Sequence, residues 1–109
     1  MSHIAFQPSG APTTELEADY VVVGSGAGGA TAAVDFARGG ASVVLVEAGP
    51  WRKPEDYPSS MVGSMRDLMD DWGSNVAMGR ALWPVVQASA VGGTTVINSA
   101  ITVKTPGDV

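Results

Sequence analysis

The chain has no cysteine and a single histidine among its 109 residues. The absence of cysteine excludes disulfide bonds and thiolate metal sites. The histidine, His3, lies near the amino terminus, where a lone histidine is usually exposed to solvent. The acidic pairs Glu55-Asp56 and Asp70-Asp71 have no histidine or second carboxylate cluster at ligand spacing. The sequence therefore predicts no metal site.

Positive charge and long apolar runs are also scarce. Six basic residues oppose eleven acidic ones, which gives a net charge of −5, and the basic residues form no patch. A nucleic acid or an anionic membrane surface thus has no electrostatic basis as a partner. No apolar run is long enough to span a bilayer, and the first residues lack the pattern of a secretory signal. A cytoplasmic location is the default expectation.

Glycine, in contrast, is abundant, with 14 residues, and a first glycine motif occupies residues 24–29. This motif, Gly-Ser-Gly-Ala-Gly-Gly, follows an apolar run at residues 20–23 that predicts a buried strand. It opens a small-residue segment that predicts a helix over residues 28–38, and Gly39-Gly40 is its stop signal. The first glycine would make a tight turn, Gly26 would let a pyrophosphate approach the backbone, and Gly29 would let the helix pack against the strand.

A second apolar run at residues 43–46 ends in Glu47, whose carboxylate can accept hydrogen bonds from both ribose hydroxyls of an adenosine. Strand, glycine turn, helix, strand and acid together predict an α/β fold with parallel strands and a crossover helix, of the Rossmann-like dinucleotide-binding kind. An ordinary α/β turn is the alternative. Because Glu47 would repel an adenosine 2′-phosphate, NADP is disfavoured.

The second glycine motif, at residues 91–98, reads Val-Gly-Gly-Thr-Thr-Val-Ile-Asn. Its glycines allow close backbone approach, and Thr94 and Thr95 can cap a short helix. The amide of Asn98 follows one turn later and can both donate and accept hydrogen bonds. This combination is suited to bind a pyrophosphate at a second point and to contact the edge of a polar ring, which favours a flavin dinucleotide.

The order of these segments resembles the amino-terminal part of the glucose-methanol-choline (GMC) family of FAD-dependent oxidoreductases. The resemblance extends over residues 19–109, and residues 1–18 are expected to form a flexible leader. Residues 87–93 and 98–106 are most similar to the long-chain alcohol oxidase branch. The chain departs from the family at Ala90, where a glycine is usual. Some members attach FAD through a histidine at the place of Ile97, so the resemblance implies non-covalent FAD here.

The resemblance also implies which residues contact the two halves of FAD. The ADP half would be held by Gly24, Ser25, Gly26, Ala27, Gly28, Gly29, Glu47 and Ala48. The ribityl and isoalloxazine part would be lined by Val91, Gly92, Gly93, Thr94, Asn98, Ser99, Ala100 and Ile101.

In the family, an alcohol loses its hydroxyl proton to a catalytic histidine and a hydride to flavin N5. That histidine lies far toward the carboxyl end of a much longer protein, so this chain is expected to supply no catalytic residue. Two apolar parallel strands also need neighbours and cover on both faces. We therefore expect a second polypeptide, or the remainder of a precursor cleaved near the turn Pro106-Gly107-Asp108, to carry the histidine.

Two alternative functions stay open. One is a GMC-like lyase that holds FAD without using its redox chemistry. The other is an inactive fragment that binds a dinucleotide, including NAD.

Two further segments bear on the fold. Residues 48–60 contain three prolines and predict a loop with a fixed path. Residues 59–71 place Met61, Met65, Leu68 and Met69 at helical spacing and predict a short amphipathic helix that packs against the rest of the chain.

Overall fold

A computed structural model of the chain describes residues 4–5, 13–104 and 106–107. His3, most of the predicted leader, and Asp108 of the predicted cleavage turn lie outside these residues. The strands β1 (Tyr20–Val23) and β2 (Val43–Val46) pair in parallel, with Tyr20 opposite Val43 and Val23 opposite Val46. The helix α1 (Ala27–Arg38) connects them. The predicted α/β class, with its parallel pair and crossover helix, is confirmed.

Both ends of α1 follow from glycine. Gly26 is the N-cap residue, so the helix begins one residue earlier than predicted. At the other end Gly40 adopts a left-handed conformation with φ of 91°. The Gly40 N–H donates to the Ala37 carbonyl and the Ala41 N–H to the Phe36 carbonyl. This pair of bonds is the Schellman arrangement, which satisfies carbonyls that the end of a helix leaves unpaired.

The prediction that β1 is buried is wrong for the described residues. Val23 is 83% exposed, and Val21, Leu45 and Val46 are exposed as well. Among the described residues, those that are buried are Ser25, Gly49, Leu68 and Ala90. Apolar parallel strands are ordinarily covered on both faces. β1 and β2 are exposed because α1 is the only helix of the described chain that packs on them. Much of the apolar surface of this two-stranded sheet is therefore left open.

Beyond β2 the chain forms short elements. A 3-10 turn at Pro54–Asp56 interrupts the proline-rich loop, and α2 (Met61–Asp67) begins at Ser60, whose hydroxyl caps the Gly63 N–H at 3.1 Å. The amphipathic helix is therefore shorter than predicted. It stops because Met69 forms a β-bridge with Ala88, after which a 3-10 turn follows at Asp70–Gly73.

An antiparallel hairpin of β3 (Val76–Met78) and β4 (Leu82–Pro84) was not predicted. From β4 the chain returns past the end of α2, where the Ser89 N–H donates to the Leu68 carbonyl at 2.8 Å. A last 3-10 helix covers Gly93–Ile97. No helix in the described part of the chain is both long and apolar enough to cross a membrane.

Candidate functional site

The two glycine motifs meet at the carboxyl ends of β1 and β2. Gly24 turns the chain sharply out of β1 with φ of 90°, and its N–H donates to the Val46 carbonyl at 2.7 Å. A Cβ on Gly29 would overlap the Gly24 carbonyl oxygen. Glycine at position 29 is therefore what allows α1 to start so close to the turn.

Gly26 and Gly93 bring the two motifs into backbone contact. A Cβ on Gly93 would lie 2.9 Å from the Gly26 Cα, whereas a Cβ on Gly26 would meet no atom within 4 Å. The face of Gly26 that lacks a side chain thus opens onto free space beside the second motif.

That space is an open cleft of about 410 Å³. Six of the predicted site residues line it: Gly24, Gly26, Glu47, Ala48, Gly93 and Thr94. Four residues that the sequence analysis missed complete the lining: Asp70, Gln87, Ala88 and Ser89. Six further predicted residues adjoin the lining without being part of it: Ser25, Ala27, Gly28, Gly29, Val91 and Gly92.

The start of α1 adjoins the cleft with unused hydrogen-bond donors. No side chain caps Gly26, and no acidic residue stands in the first turn of the helix. The first intrahelical bond runs from the Ala30 N–H to the Gly26 carbonyl at 2.9 Å. The preceding N–H groups and the positive end of the helix dipole therefore offer an anion site.

Glu47 is held in place by three hydrogen bonds. Its Oε2 accepts from the Ser25 N–H and from the Ser25 hydroxyl, both at 2.7 Å. Its Oε1 accepts from the Gly49 N–H at 2.8 Å. These bonds, led by the one from the Ser25 hydroxyl, hold the pKa of the Glu47 carboxyl below its ordinary value.

The same bonds limit what Glu47 can accept from a ligand. A carboxylate has about four acceptor positions, and three of these are used within the chain. Acceptance from both ribose hydroxyls stays a prediction, because in this conformation the bonds within the chain leave Glu47 one acceptor position. One strong bond, to Oε1, is what this geometry permits.

Ser25 connects Glu47 to the second motif. Its side chain is buried, with 4% exposure. The hydroxyl that donates to Glu47 also accepts from the Gly92 N–H at 2.8 Å. Gly92 itself is left-handed, with φ of 101°. No local sequence signal could have indicated this contact, because Ser25 and Gly92 lie far apart along the chain.

Thr94 and Thr95 were predicted to cap a short helix, but neither caps the 3-10 helix of the second motif. Gly92 is the N-cap residue and receives no side-chain capping bond. The Thr95 hydroxyl donates back to the Gly92 carbonyl at 2.6 Å, and the Thr94 hydroxyl accepts from the Ala88 N–H at 3.3 Å. Both hydroxyls thus fix the path of the loop, and Thr94 also faces the cleft.

The last four predicted site residues, 98–101, are not among the residues that line the cleft, and they form a turn of their own. The Asn98 side chain donates to the Ile101 carbonyl and accepts from the Ala100 N–H, both at 3.0 Å. Ser99 and Ala100 have φ of 57° and 58°, which is an uncommon conformation for residues other than glycine. The amide that was expected to contact a ring is used here to hold this turn.

The departure from the family at Ala90 is accommodated at position 49. Ala90 is buried, and a Cβ on Gly49 would overlap its backbone. The Val91 N–H donates to the Pro50 carbonyl at 3.1 Å, which joins the same two segments. The close approach therefore depends on glycine at position 49 more than on glycine at position 90.

The missed lining residues differ in how they could have been found. Residues 87–89 lie one residue before the second motif, so extending the motif toward the amino terminus would have included them. Asp70 carries no such signal. It reaches the cleft because its N–H donates to the Gln87 carbonyl at 2.8 Å, next to the bridge between Met69 and Ala88.

These features fit the ADP half of a dinucleotide. The open face of Gly26 leaves room that a Cβ would fill, the first turn of α1 supplies N–H donors, and Glu47 keeps one acceptor position. Donors for a pyrophosphate and an acceptor for a ribose hydroxyl are what such a ligand requires.

Comparison with known proteins supports FAD as the cofactor. A family described as an FAD binding domain matches residues 19–53. A long-chain-alcohol oxidase from Arabidopsis thaliana is 41% identical over 98 residues, which cover 86% of this chain and 12% of that protein. An uncharacterized GMC-type oxidoreductase from Mycobacterium tuberculosis is 46% identical over 83 residues, 75% of this chain and 13% of the relative.

A second Arabidopsis long-chain-alcohol oxidase is 34% identical over 107 residues, which cover 98% of this chain and 14% of that protein. The chain thus spans a small part of the length of each of these relatives. No solved structure matches it.

Proposed function

We propose that this chain, which belongs to the amino-terminal FAD-binding part of the GMC oxidoreductases, holds FAD in an enzyme that oxidises an alcohol. The observation that carries the proposal is the meeting of the two glycine motifs and Glu47 at one cleft. A nucleotide-binding turn alone would not require the second motif to contact the first.

Three features of the chain would hold the cofactor. The N–H groups at the start of α1 would donate to the pyrophosphate, because no side chain or acidic residue competes for them. The Oε1 of Glu47 would accept one hydrogen bond from the adenosine ribose. Gly26 and Gly93 would let both backbones approach the ligand.

Residues 98–101 would support the part of the cofactor beyond the pyrophosphate. The hydrogen bonds of Asn98 and the left-handed conformations of Ser99 and Ala100 fix the path of this turn. Such strained backbone is often found where a protein contacts a ligand. This turn could then exclude water from one side of the flavin.

When bound, FAD supplies the chemistry by accepting a hydride from the alcohol carbon. This chain would contribute binding and orientation, because among its described residues only Glu47 and Asp70 bring ionisable side chains to the cleft. The base that takes the hydroxyl proton would then be a histidine in a second polypeptide or in a further part of the same protein. The exposed apolar faces of β1 and β2 are the surface that such a part would cover.

A long-chain primary alcohol is the substrate class that the relatives favour, since several are long-chain-alcohol oxidases. The test is anaerobic reduction of the purified flavoprotein by primary alcohols of increasing chain length, followed through loss of the yellow flavin absorbance. We expect bleaching that strengthens with chain length and slows when the carbinol carbon carries deuterium. The matched carboxylic acids serve as controls and should leave the colour unchanged.

The same experiment separates the alternatives. Bound flavin that no alcohol reduces would favour a lyase of the same fold, and a colourless protein would favour an inactive or NAD-binding fragment. Intact-mass analysis of the purified material would show whether a second polypeptide accompanies this one.

A further inference from the structure

We propose that Ser25 is a positioning residue, which orients Glu47 and the second glycine motif toward the ligand without touching the ligand itself. The family resemblance implies that Ser25 contacts FAD directly. This inference rests on the proposed FAD site and assigns Ser25 a different task within it.

The location of Ser25 argues against direct contact. Its side chain is buried and does not line the cleft, although the flanking Gly24 and Gly26 do. Its N–H is already committed to Glu47. What remains is the hydroxyl, and both of its hydrogen-bonding functions are used within the chain.

The hydroxyl couples two distant groups because it has a single hydrogen. That hydrogen is donated to Glu47 Oε2, and the oxygen accepts from the Gly92 N–H. If the hydroxyl moved to follow one partner it would lose its bond to the other, and a buried group left unpaired is costly. One side chain thereby sets the carboxylate of the first motif and the left-handed glycine of the second.

Ser25 also decides which oxygen of Glu47 can serve a ligand. Two bonds from Ser25 occupy Oε2, whereas Oε1 accepts one bond, from the Gly49 N–H. A ribose hydroxyl would therefore bind at Oε1. Without the Ser25 hydroxyl, Oε2 would regain an acceptor position, and the carboxylate would be held by the N–H groups of Ser25 and Gly49 alone.

Few ionisable groups surround Glu47. Asp70, at the end of the segment that follows α2, also lines the cleft. Neither the first turn of α1 nor residues 91–98 contain an ionisable side chain, and Tyr20 of β1 lies at the opposite end of that strand. The ionisation of Glu47 is thus governed by hydrogen bonds, led by the one from the Ser25 hydroxyl.

The experiment measures FAD affinity of the purified holoprotein, stripped and reloaded, as a function of pH in wild type and Ser25→Ala. At neutral pH we expect Ser25→Ala to bind FAD about 10-fold more weakly, because Glu47 and Gly92 are no longer both held in position before the ligand binds. We also expect its acid loss of FAD to begin at higher pH, because the Glu47 carboxyl protonates more readily. A purely structural role would not move the pH profile.

The matched control is Ser42→Ala, which removes the same kind of serine-to-carboxylate bond at the other end of β1 and β2. It should leave both the affinity and the pH profile unchanged. In the double variant Ser25→Ala/Glu47→Gln the pH shift should disappear, and the losses of affinity should not add.

Unchanged affinity in Ser25→Ala, or weaker affinity with the wild-type pH profile, would overturn the inference. If Ser25→Ala does not fold, Ser25→Cys is judged by the same criteria, because a thiol is similar in size but a weak donor and acceptor. If Glu47→Gln weakens FAD binding and the Ser25 variants do not, only the inference fails. A wild-type protein that binds no FAD would overturn the proposed function, and the inference with it.

Discussion

The two ends of the β1–β2 pair carry the same hydrogen-bonding unit, in which a carboxylate accepts from the N–H and the hydroxyl of a serine. At the amino ends the carboxylate precedes β1 and the serine precedes β2, whereas at the carboxyl ends the serine follows β1 and the carboxylate follows β2. At the amino ends, Asp19 accepts from the N–H of Ser42 at 2.8 Å and from its hydroxyl at 2.7 Å. At the carboxyl ends, Glu47 accepts from the N–H and hydroxyl of Ser25, both at 2.7 Å. In both pairs the serine hydroxyl also accepts one backbone N–H.

The difference lies in that last bond and in the surroundings. The Ser42 hydroxyl accepts from Asp19 itself at 2.9 Å, so the Asp19–Ser42 pair closes on itself and stays exposed. The Ser25 hydroxyl is buried and accepts from Gly92, 67 residues away. Identical chemistry therefore aligns two strands at one end and joins two motifs at the other. Ligands bind at the carboxyl ends of parallel strands because the connecting loops meet there.

The largest loss of FAD binding is expected when the cleft beside Ser25 and Glu47 is filled. A Cβ at position 26 would meet no protein atom within 4 Å, so a side chain there would enter the space available to the pyrophosphate. We expect Gly26→Val to fold and to be colourless. Flavin absorbance gives the loading, and circular dichroism shows whether the fold is retained.

Gly79→Val is the control for that variant. A Cβ at position 79 meets only the Ala81 carbonyl oxygen, at 4.0 Å, and this residue lies between β3 and β4, outside the cleft lining. Gly79→Val should bind FAD as the wild type does. A fully flavin-loaded Gly26→Val protein would contradict the proposed backbone approach.

Neutralising the carboxylates of Glu47 and Asp19, one at a time, should show how differently the two ends of the β1–β2 pair affect FAD binding. Glu47→Gln keeps the size of the side chain but removes a charged acceptor, and should weaken FAD binding by about 1 to 3 kcal/mol. Asp19→Asn is the equivalent change at the other end and should leave FAD affinity as in wild type. Flavin titration of the stripped protein measures both. Equal losses in the two variants would mean that the effect of Glu47 is general destabilisation.

Lowering the pH should weaken FAD binding through protonation of Glu47, and this effect should be smaller than those of the substitutions above. Its pKa is lower in the folded protein than in the unfolded chain, mainly because of the Ser25 hydroxyl. Folding therefore gains stability from this group above the ordinary glutamate pKa of about 4.3 and loses that gain as the pH falls through the lower, folded value. We expect FAD retention to be flat from neutral pH to about pH 5 and to decline below that. A decline that is complete near neutral pH would point to a different group.

The sequence predicted those parts of the fold and the site that depend on local patterns. Apolar runs and glycine signals located β1, α1 and β2 to within a residue. The hairpin of β3 and β4 was not predicted because each strand has only three residues and one of them contains a proline. The second helix was predicted too long because a tertiary contact, the bridge between Met69 and Ala88, overrides helical spacing.

The site followed the same rule. The glycines and Glu47 could be recognised from their spacing, and the cleft lining includes Gly24, Gly26, Gly93 and Glu47. Asp70, and the bond from Gly92 to Ser25, depend on contacts between distant segments that no local pattern records. The Asp19–Ser42 pair was missed for the same reason.

Ser42→Ala should have the smallest effect of all. Both members of the Asp19–Ser42 pair are exposed, so water can replace the lost hydroxyl, and the net cost is small. The Tyr20 N–H, which donates to the Ser42 carbonyl at 3.2 Å, should exchange faster with deuterated solvent because the strand ends fray. We expect this local change together with a melting temperature lowered by no more than a few degrees and unaltered FAD affinity. If Ser42→Ala weakened FAD binding as strongly as Ser25→Ala, both pairs would serve only to hold the strands together, and the connection to Gly92 would not distinguish the two ends.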